Sequence, residues 1–471
     1  MSEQQEHKPD SHVDDLYQES DHWHVNTGEE KIHPKRMAGR YRTLKWLTGS
    51  VWLIFFLGPY LRWDGRQAVM FDIPARQFHI FSVTVMPQDF WMLSLLLLFF
   101  AIMLAVVTSI AGRVFCGFFC FQTVWTDVYM WIEERLEGTP QQRRKLDQAP
   151  WDGRKLRIKG SKYGLWLLIA MLTGVSFSAW FTDAYALWPA LLTGQAHIAA
   201  YVVLALFTAG TFLLAGFMRE QVCFWLCPYA RIQAPMVDTE TVLPAYDTKR
   251  GEPRGKLRKG QSSEGHGDCV DCNLCVAVCP TGVDIRNGQQ EGCITCALCI
   301  DACDSVMDKV GKPRGLVRYA SLDELEGRPT LPLYKRPRPM VYLSIMAIAL
   351  AGIIYGLATI GSLEITAIHE RTPMYVQLSD GSIQNRYDLR LINKSNAAID
   401  VVISADGLPG LELRGADGTF SLPPNRATNL SVFARVPVDL LEASLLPITF
   451  RVEAVDDQTL MAEHTTIFAS P

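Results

Sequence analysis

The chain has 471 residues, with 45 Lys and Arg against 49 Asp and Glu, a formal net charge of -4 and 12 Cys. That length leaves room for two or three domains, and the charge gives no electrostatic reason to expect nucleic acid as a partner. The Cys fall in four tight groups between residues 116 and 303, as metal ligands do, whereas a secreted disulfide framework spreads its bridges through a small domain.

Residues 1–43 read as a polar cytoplasmic tail without a cleaved leader. Five of the ten His lie there: His7, His12, His22, His24 and His33. Imidazole binds copper and zinc, but so polar a stretch reads more simply as a disordered tail with incidental His. Five apolar stretches follow, at 44–61, 90–112, 163–180, 198–218 and 340–362. Each is long enough to cross a bilayer as a helix, which takes about twenty residues. Trp46, Trp63, Trp91, Tyr163, Trp180 and Tyr342 sit near their ends, where interfacial aromatics belong. Pro59 stands near the end of the first. The pattern predicts a transmembrane bundle of five spans in contact with lipid, four of them within a membrane domain at 44–238.

Lys and Arg number six up to residue 43, three in 62–89, ten in 113–162, none in 181–197 and seventeen in 219–339. The positive-inside rule then places the N-terminus, the 113–162 loop and the 219–339 segment in the cytoplasm. The C-terminal tail falls on the outside, as an odd number of spans requires, and the expected location is a bacterial inner membrane. The basic runs at 138–160 and 244–267 include Arg143, Lys145, Lys155, Lys249 and Arg250. Anionic lipid headgroups are one partner for them; solvated connectors that also fix topology are the simpler reading. His197 lies near an outer span end and His79 in an outer loop, so no transmembrane haem is expected.

Two matched motifs close the second and fourth spans. They read Arg113-Val-Phe-Cys116-Gly-Phe-Phe-Cys120-Phe and Arg219-Glu-Gln-Val-Cys223-Phe-Trp-Leu-Cys227-Pro. If the helix continues, residues four apart share a face, so each pair presents two sulfurs to one atom. Soft thiolates favour Cu(I), zinc or iron–sulfur, and Arg113 and Arg219 would stabilise them. Buried Cys acting as small hydrophobes are the plain alternative, but two matched pairs favour a redox or metal role. Cys116, Cys120, Cys223 and Cys227 are therefore the candidate reaction site, with copper as a candidate occupant.

After a basic linker at 239–267, residues 268–310 carry the bacterial ferredoxin run twice. It reads Cys269, Cys272, Cys275 and Cys279-Pro280, then Cys293, Cys296, Cys299 and Cys303. The fourth Cys of each run ligates the other cluster. One [4Fe-4S] cluster takes Cys269, Cys272, Cys275 and Cys303; the other takes Cys293, Cys296, Cys299 and Cys279. Asp304 replaces the usual Pro of the second run, which loosens a turn but removes no ligand. Zinc sites need fewer ligands at longer gaps. No nucleophile or acid–base pair accompanies the clusters, so they carry charge.

A linker at 311–339 leads to the fifth span, and 363–471 reads as β. The runs 387–392 and 398–404 alternate or are β-branched, with turn signals at 379–381, 393–396, 415–418 and 423–425. This predicts an outward-facing immunoglobulin-like β-sandwich. His369, Met374, Met461 and His464 have ligand chemistry but read as surface or core residues, and the domain reads as an interaction module.

With these residues placed, the chain resembles the cytochrome c oxidase accessory protein family of the FixG/CcoG (RdxA) type. The resemblance runs through the span pairs ending in Cys-x-x-x-Cys, the double ferredoxin run, the fifth span and the β tail. NapH-type quinol dehydrogenases and NosR-type proteins share the ferredoxin run; the fifth span and β domain set this chain apart. The resemblance implies a role in assembling the copper centre of cbb-type cytochrome c oxidase, by reducing Cu(II) to Cu(I) before export by a copper-transport ATPase. It also implies Cys-Pro after each membrane pair. Cys227-Pro228 fits, while Phe121 follows Cys120, which predicts a differently bent first pair. The electron donor is unidentified. Two rival functions are a quinol dehydrogenase passing electrons to a soluble partner, and a redox-sensing assembly scaffold.

Overall fold

The computed structural model describes residues 32, 34–81, 83–86, 89–255, 265–290, 292–359, 361–395, 397–441, 443–457 and 460–471. The five N-terminal His lie outside the described residues. Four described helices are long and apolar enough to cross a membrane: Phe90–Ala111, Gly153–Ala179, Ile198–Met218 and Pro337–Thr359. The second begins ten residues before the expected 163, because Lys159 and Lys162 pair with buried Glu133 and Glu137 and Lys155 donates to the Asp147 and Ala149 carbonyls, so none need leave the helix.

The first expected span differs. Residues 44–61 do not form one long helix. The helix Arg40–Gly49 gives way to a tighter turn at Ser50–Trp52, a short helix Leu53–Leu57 and a second tight turn Gly58–Tyr60. Proline has no N–H to continue the ladder, and a Cβ at Gly58 would stand 2.6 Å from the Trp180 ring.

The chain divides into two compact units. The first gathers 1–52, 102–172 and 206–343, and the second 53–101, 173–205 and 344–471. The first unit thus takes the N-terminal part of the 40–60 stretch and alternating ends of the four long helices. A small antiparallel ladder, Leu243–Tyr246 with Val317–Ala320, brackets its Cys-rich segment.

The second unit contains the β domain. One sheet orders Glu412–Arg414, Arg426–Pro437, Ser382–Asn393 and Leu363–His369, with Val376–Gln377 added to the third. The other orders Thr419–Leu422, Ile399–Asp406, Leu445–Ala454 and Met461–Ala469. Alternate residues of each strand point inward, so Tyr387, Leu389, Val401, Val432, Phe450 and Phe468 are wholly buried together. The Tyr387 hydroxyl donates to the Ile467 carbonyl at 2.8 Å and joins the sheets. His369 pairs with Asn385 and His464 accepts from the Ala367 amide. Met374 and Met461 are exposed, so these four residues form no common site.

Within the same unit, residues 62–89 form a three-stranded sheet, Val69–Asp72, Gln77–Ile80 and Val83–Val85, that packs on the sandwich. Gln77 and Thr84 both donate to Asn425, and buried Lys394 bridges Asp89, at 2.9 Å, and Glu364. His79 lies inside this sheet, with Arg66 Nη1 2.9 Å from its Nδ1. A guanidinium only donates, so Nδ1 is the acceptor and the ring is neutral. Burial, then Arg66, lower its pKa from 6.5 to about 4, against a weaker pull from Asp72. Between these values the unfolded chain binds the proton and the folded one does not, so stability falls as pH falls. We expect the melting temperature of the solubilised protein to drop from pH 6.5 towards pH 4, and His79→Gln to flatten that slope.

Candidate metal centres

The two ferredoxin runs fold alike at the backbone. Asp271 and Asn273 of the first, and Thr295 and Ala297 of the second, all have positive φ. These are matched positions between the Cys. Left-handed residues turn successive amides towards one side, making a concavity for an anionic group, and four non-glycine residues accept that conformation. Cys275 lies in the short helix Leu274–Ala277 and Cys299 in the longer Leu298–Val310. That second helix also carries Cys303, one turn on.

The structure brings Cys303 of the second run beside the first three Cys of the first. Cys269, Cys272, Cys275 and Cys303 line one cavity, together with Tyr246 and Met307. Cys279, Cys293, Cys296 and Cys299 form the other set, each opposing the ionisation of its neighbours. Burial and then Cys296 and Cys279 push the Cys293 thiol up to about 12. Burial and Cys275 push Cys303 up to about 12. Bare, the Cys293 and Cys303 thiols stay protonated, and a bound cation reverses that preference. Among the described residues no three His, Cys, Asp or Glu side chains are close enough to hold one ion. A cubane seats each thiolate on its own iron, and eight Cys in ferredoxin spacing supply two full sets of four.

Surrounding groups complete the setting. Arg286 pairs with Asp271 and Asp284, each at 2.7 Å, and lies beside the first cavity. The Tyr319 hydroxyl donates to the Thr295 carbonyl at 2.8 Å, and its ring meets Tyr41 edge-on. Asp301 accepts from the Tyr41 and Arg42 amides and so caps the helix Arg40–Gly49. The Tyr319 and Asp301 contacts join segments distant along the chain, so residue spacing carries no sign of them.

Both Cys-x-x-x-Cys motifs differ from a continuous helix. Cys116 lies in the short helix Val114–Phe118, but Cys120 is extended (φ -58°, ψ 127°) and opens a new helix, Phe121–Glu137. Cys223 lies in a widened turn, Val222–Leu226, and Cys227 is extended (φ -82°, ψ 109°) before the helix Pro228–Gln233. The residue before proline avoids the helical region, which explains Cys227. Cys120 reaches the same shape without proline, because the amides of Phe119 and Cys120 both turn back to the Phe115 carbonyl. The two pairs therefore bend alike, contrary to the expectation drawn from Phe121.

The pairs come together. Burial pushes the Cys223 thiol up to about 12, reinforced by Cys120, Cys116 and Cys227. Cys116 is raised to about 12 by burial and then Cys120, with Arg113 and Gln233 opposing. Cys116 Sγ lies 3.7 Å from Gln233 Oε1 on the helix after Cys227. Gln122, two residues past Cys120, donates to the Leu214 and Arg219 carbonyls before Cys223. Arg219 does not serve the thiols as expected. It has φ 45° and turns into a buried pair with Glu133 at 2.8 Å.

The same motif abuts the second ferredoxin set. The Arg113 amide donates to Thr295 Oγ1 at 3.1 Å. Cys116 shares one apolar cluster with Ile294, Cys296 and Leu298. A Cβ on Gly117 would stand 2.5 Å from the Ile294 carbonyl oxygen, so only glycine allows this approach.

The helix Phe121–Glu137 carries a buried acidic stripe. Asp127 meets Arg36, Arg42 and Lys45 at 3.0–3.1 Å. Glu133 takes Lys162, Arg143 and Arg219, and Glu137 takes Lys159 and Lys162. Arg143 and Lys155, expected in a solvated connector, are buried. The signal in the sequence was the acidic spacing 127, 133 and 137 ahead of a basic run.

Comparison with known proteins agrees with these sites. A family model described as "4Fe-4S dicluster domain" matches residues 218–322, and one described as "4Fe-4S binding domain" matches 93–140. A third, for an "IG-like fold at C-terminal of FixG", matches 353–471. Protein RdxB of Cereibacter sphaeroides is 43% identical over 90% of this chain and 91% of its own. Nitrogen fixation protein FixG of Rhizobium meliloti is 38% identical over 86% of each chain. Protein RdxA of Cereibacter sphaeroides is 40% identical over 86% of this chain and 88% of its own.

Proposed function

Because the chain belongs to the family of FixG, RdxA and RdxB, membrane iron–sulfur proteins of oxidoreductase type, we propose that it carries single electrons to Cu(II). The observation that carries this reading is the contact between the second ferredoxin set and the four membrane-motif thiols through Gly117, Arg113 and Cys116. Cys269, Cys272, Cys275 and Cys303 hold one cubane, and Cys279, Cys293, Cys296 and Cys299 the other. Bound there, the clusters would supply one-electron storage and transfer. The protein's own residues do the rest. Val278, Ile294 and Leu298 exclude water, and the left-handed backbone presents amides to the sulfides.

A reduced one-electron carrier loads the first set. The electron leaves at Cys116, Cys120, Cys223 and Cys227, where one Cu(II) takes one electron and becomes Cu(I). Five crossings fit the alternation of helix ends in the first unit and the Lys and Arg distribution. In this reading the three thiol sets face the cytoplasm and the β-sandwich the periplasm of a bacterial inner membrane, which the Lys and Arg distribution supports. Supply of Cu(I) to a copper-transport ATPase, for assembly of cbb-type cytochrome c oxidase, follows from this orientation and from the family resemblance. The test is to reduce anaerobically purified protein and add Cu(II) with a Cu(I)-specific chelator. We expect one Cu(I) per cluster reoxidised. Clusters that a quinone reoxidises and Cu(II) does not would make the protein a quinone-linked carrier.

A further inference from the structure

We propose that Cys116, Cys120, Cys223 and Cys227 together hold a third iron–sulfur cluster. This rests on the reading above that the ferredoxin runs hold two, and it deepens the account of where electrons leave. The family model for a 4Fe-4S binding domain covers 93–140, yet that stretch contains two Cys, 116 and 120. A cubane held by thiolates needs four. The fold supplies the missing pair from the other repeat.

The geometry favours a cluster over a single ion. The two turns are built alike, with the last Cys extended and opening a new helix in each. Hydrogen bonds pin the turns to each other at two places. Gln122 joins the first turn to the Leu214 and Arg219 carbonyls. Gln233 joins the second to Cys116 and, at 3.4 Å, to Thr108. Such a frame holds the two thiol pairs next to each other. A lone Cu(I) satisfied by two of them leaves two buried thiols without a task. Arg113 stands beside the set and offsets the negative charge that four thiolates bring.

In this arrangement the three sets form a row, from the cavity at Cys269 through Cys293 and Cys296 to Cys116. Copper is then reduced from the third cluster and is not stored by its thiolates.

The test is a metal and sulfide count on full-length protein purified without oxygen, with the clusters read by electron paramagnetic resonance. We expect about twelve irons and twelve sulfides per chain, four of each for every cubane. Cys116→Ser with Cys223→Ser removes about a third of both and leaves the ferredoxin signals in place. If that double variant fails to fold, Cys120→Ser alone serves, and the wild-type count requires no variant. About eight irons in the wild type, unchanged by these substitutions, overturns the proposal. So does stoichiometric copper bound at the set. Either result leaves the two ferredoxin clusters standing, whereas the iron lost in Cys303→Ser speaks to the ferredoxin assignment alone.

Discussion

Cys303→Ser strips iron from the Cys269, Cys272 and Cys275 set and slows electron delivery to Cu(II) by more than about 100-fold, while the β-sandwich keeps its stability. The loss is large because Cys303 lies one helical turn after Cys299 on Leu298–Val310. Residues four apart share a helix face, so this one helix serves both sets and places them side by side. Serine is a poor replacement for a thiolate on iron, and even changes behind a ligand cost about 10–100-fold in metal affinity. Iron content should fall by about half of what the ferredoxin runs carry. The Cys279, Cys293, Cys296 and Cys299 set should keep its signal. Iron analysis, resonance spectra and the rate of Cu(II)-driven reoxidation read these three effects separately. An unchanged iron content would show that Cys303 is no ligand.

Asp127→Ala is expected to destabilise the protein by about 3–5 kcal/mol, the usual cost of removing one member of a buried charge cluster. Three cations, Arg36, Arg42 and Lys45, converge on this carboxylate. Burial would raise its pKa, but Lys45, Arg42 and Arg36 outweigh that and hold it below the usual carboxylate range. Its contribution is therefore complete above the unfolded value of about 3.9, and is lost only as pH falls through the depressed folded value. The difference in melting temperature between wild type and Asp127→Ala should stay constant from about pH 5 to pH 8. A second readout follows from position. Lys45 and Arg42 act on the Cys296 thiol. Freed of Asp127, their charge favours the reduced, more negative state of the neighbouring cluster, so its midpoint potential should rise. A variant that loses stability with no shift in potential would confine Asp127 to a structural role.

Much of the candidate site was legible because its spacing is local. The cadence of Cys269 to Cys279 and of Cys293 to Cys303 fixes which sulfurs can meet over a few residues of chain, and Cys303 lines one cavity with Cys269, Cys272 and Cys275. The thiol pairs were legible as a repeat but not as a shape. An i, i+4 argument assumed a continuous helix, while Cys120 and Cys227 are extended. Arg219 shows the same limit. Proximity in sequence to Cys223 made it a partner for the thiols, yet Glu133 lies across a helix interface and binds it instead.

What the sequence determined by itself was the chemistry and the order of parts: apolar runs long enough for lipid, eight Cys in ferredoxin spacing, two matched pairs and a β tail. These depend on periodicity and on near neighbours, which the linear chain records. The tertiary structure alone decided that the basic connector is buried against Glu133 and Glu137, and that Gly117 lets the membrane motif touch the Ile294 carbonyl. It alone decided that the first apolar stretch is built in four short pieces. Each of these turns on which distant group arrives to satisfy a buried charge or fill a gap, and that choice is made only when the chain packs.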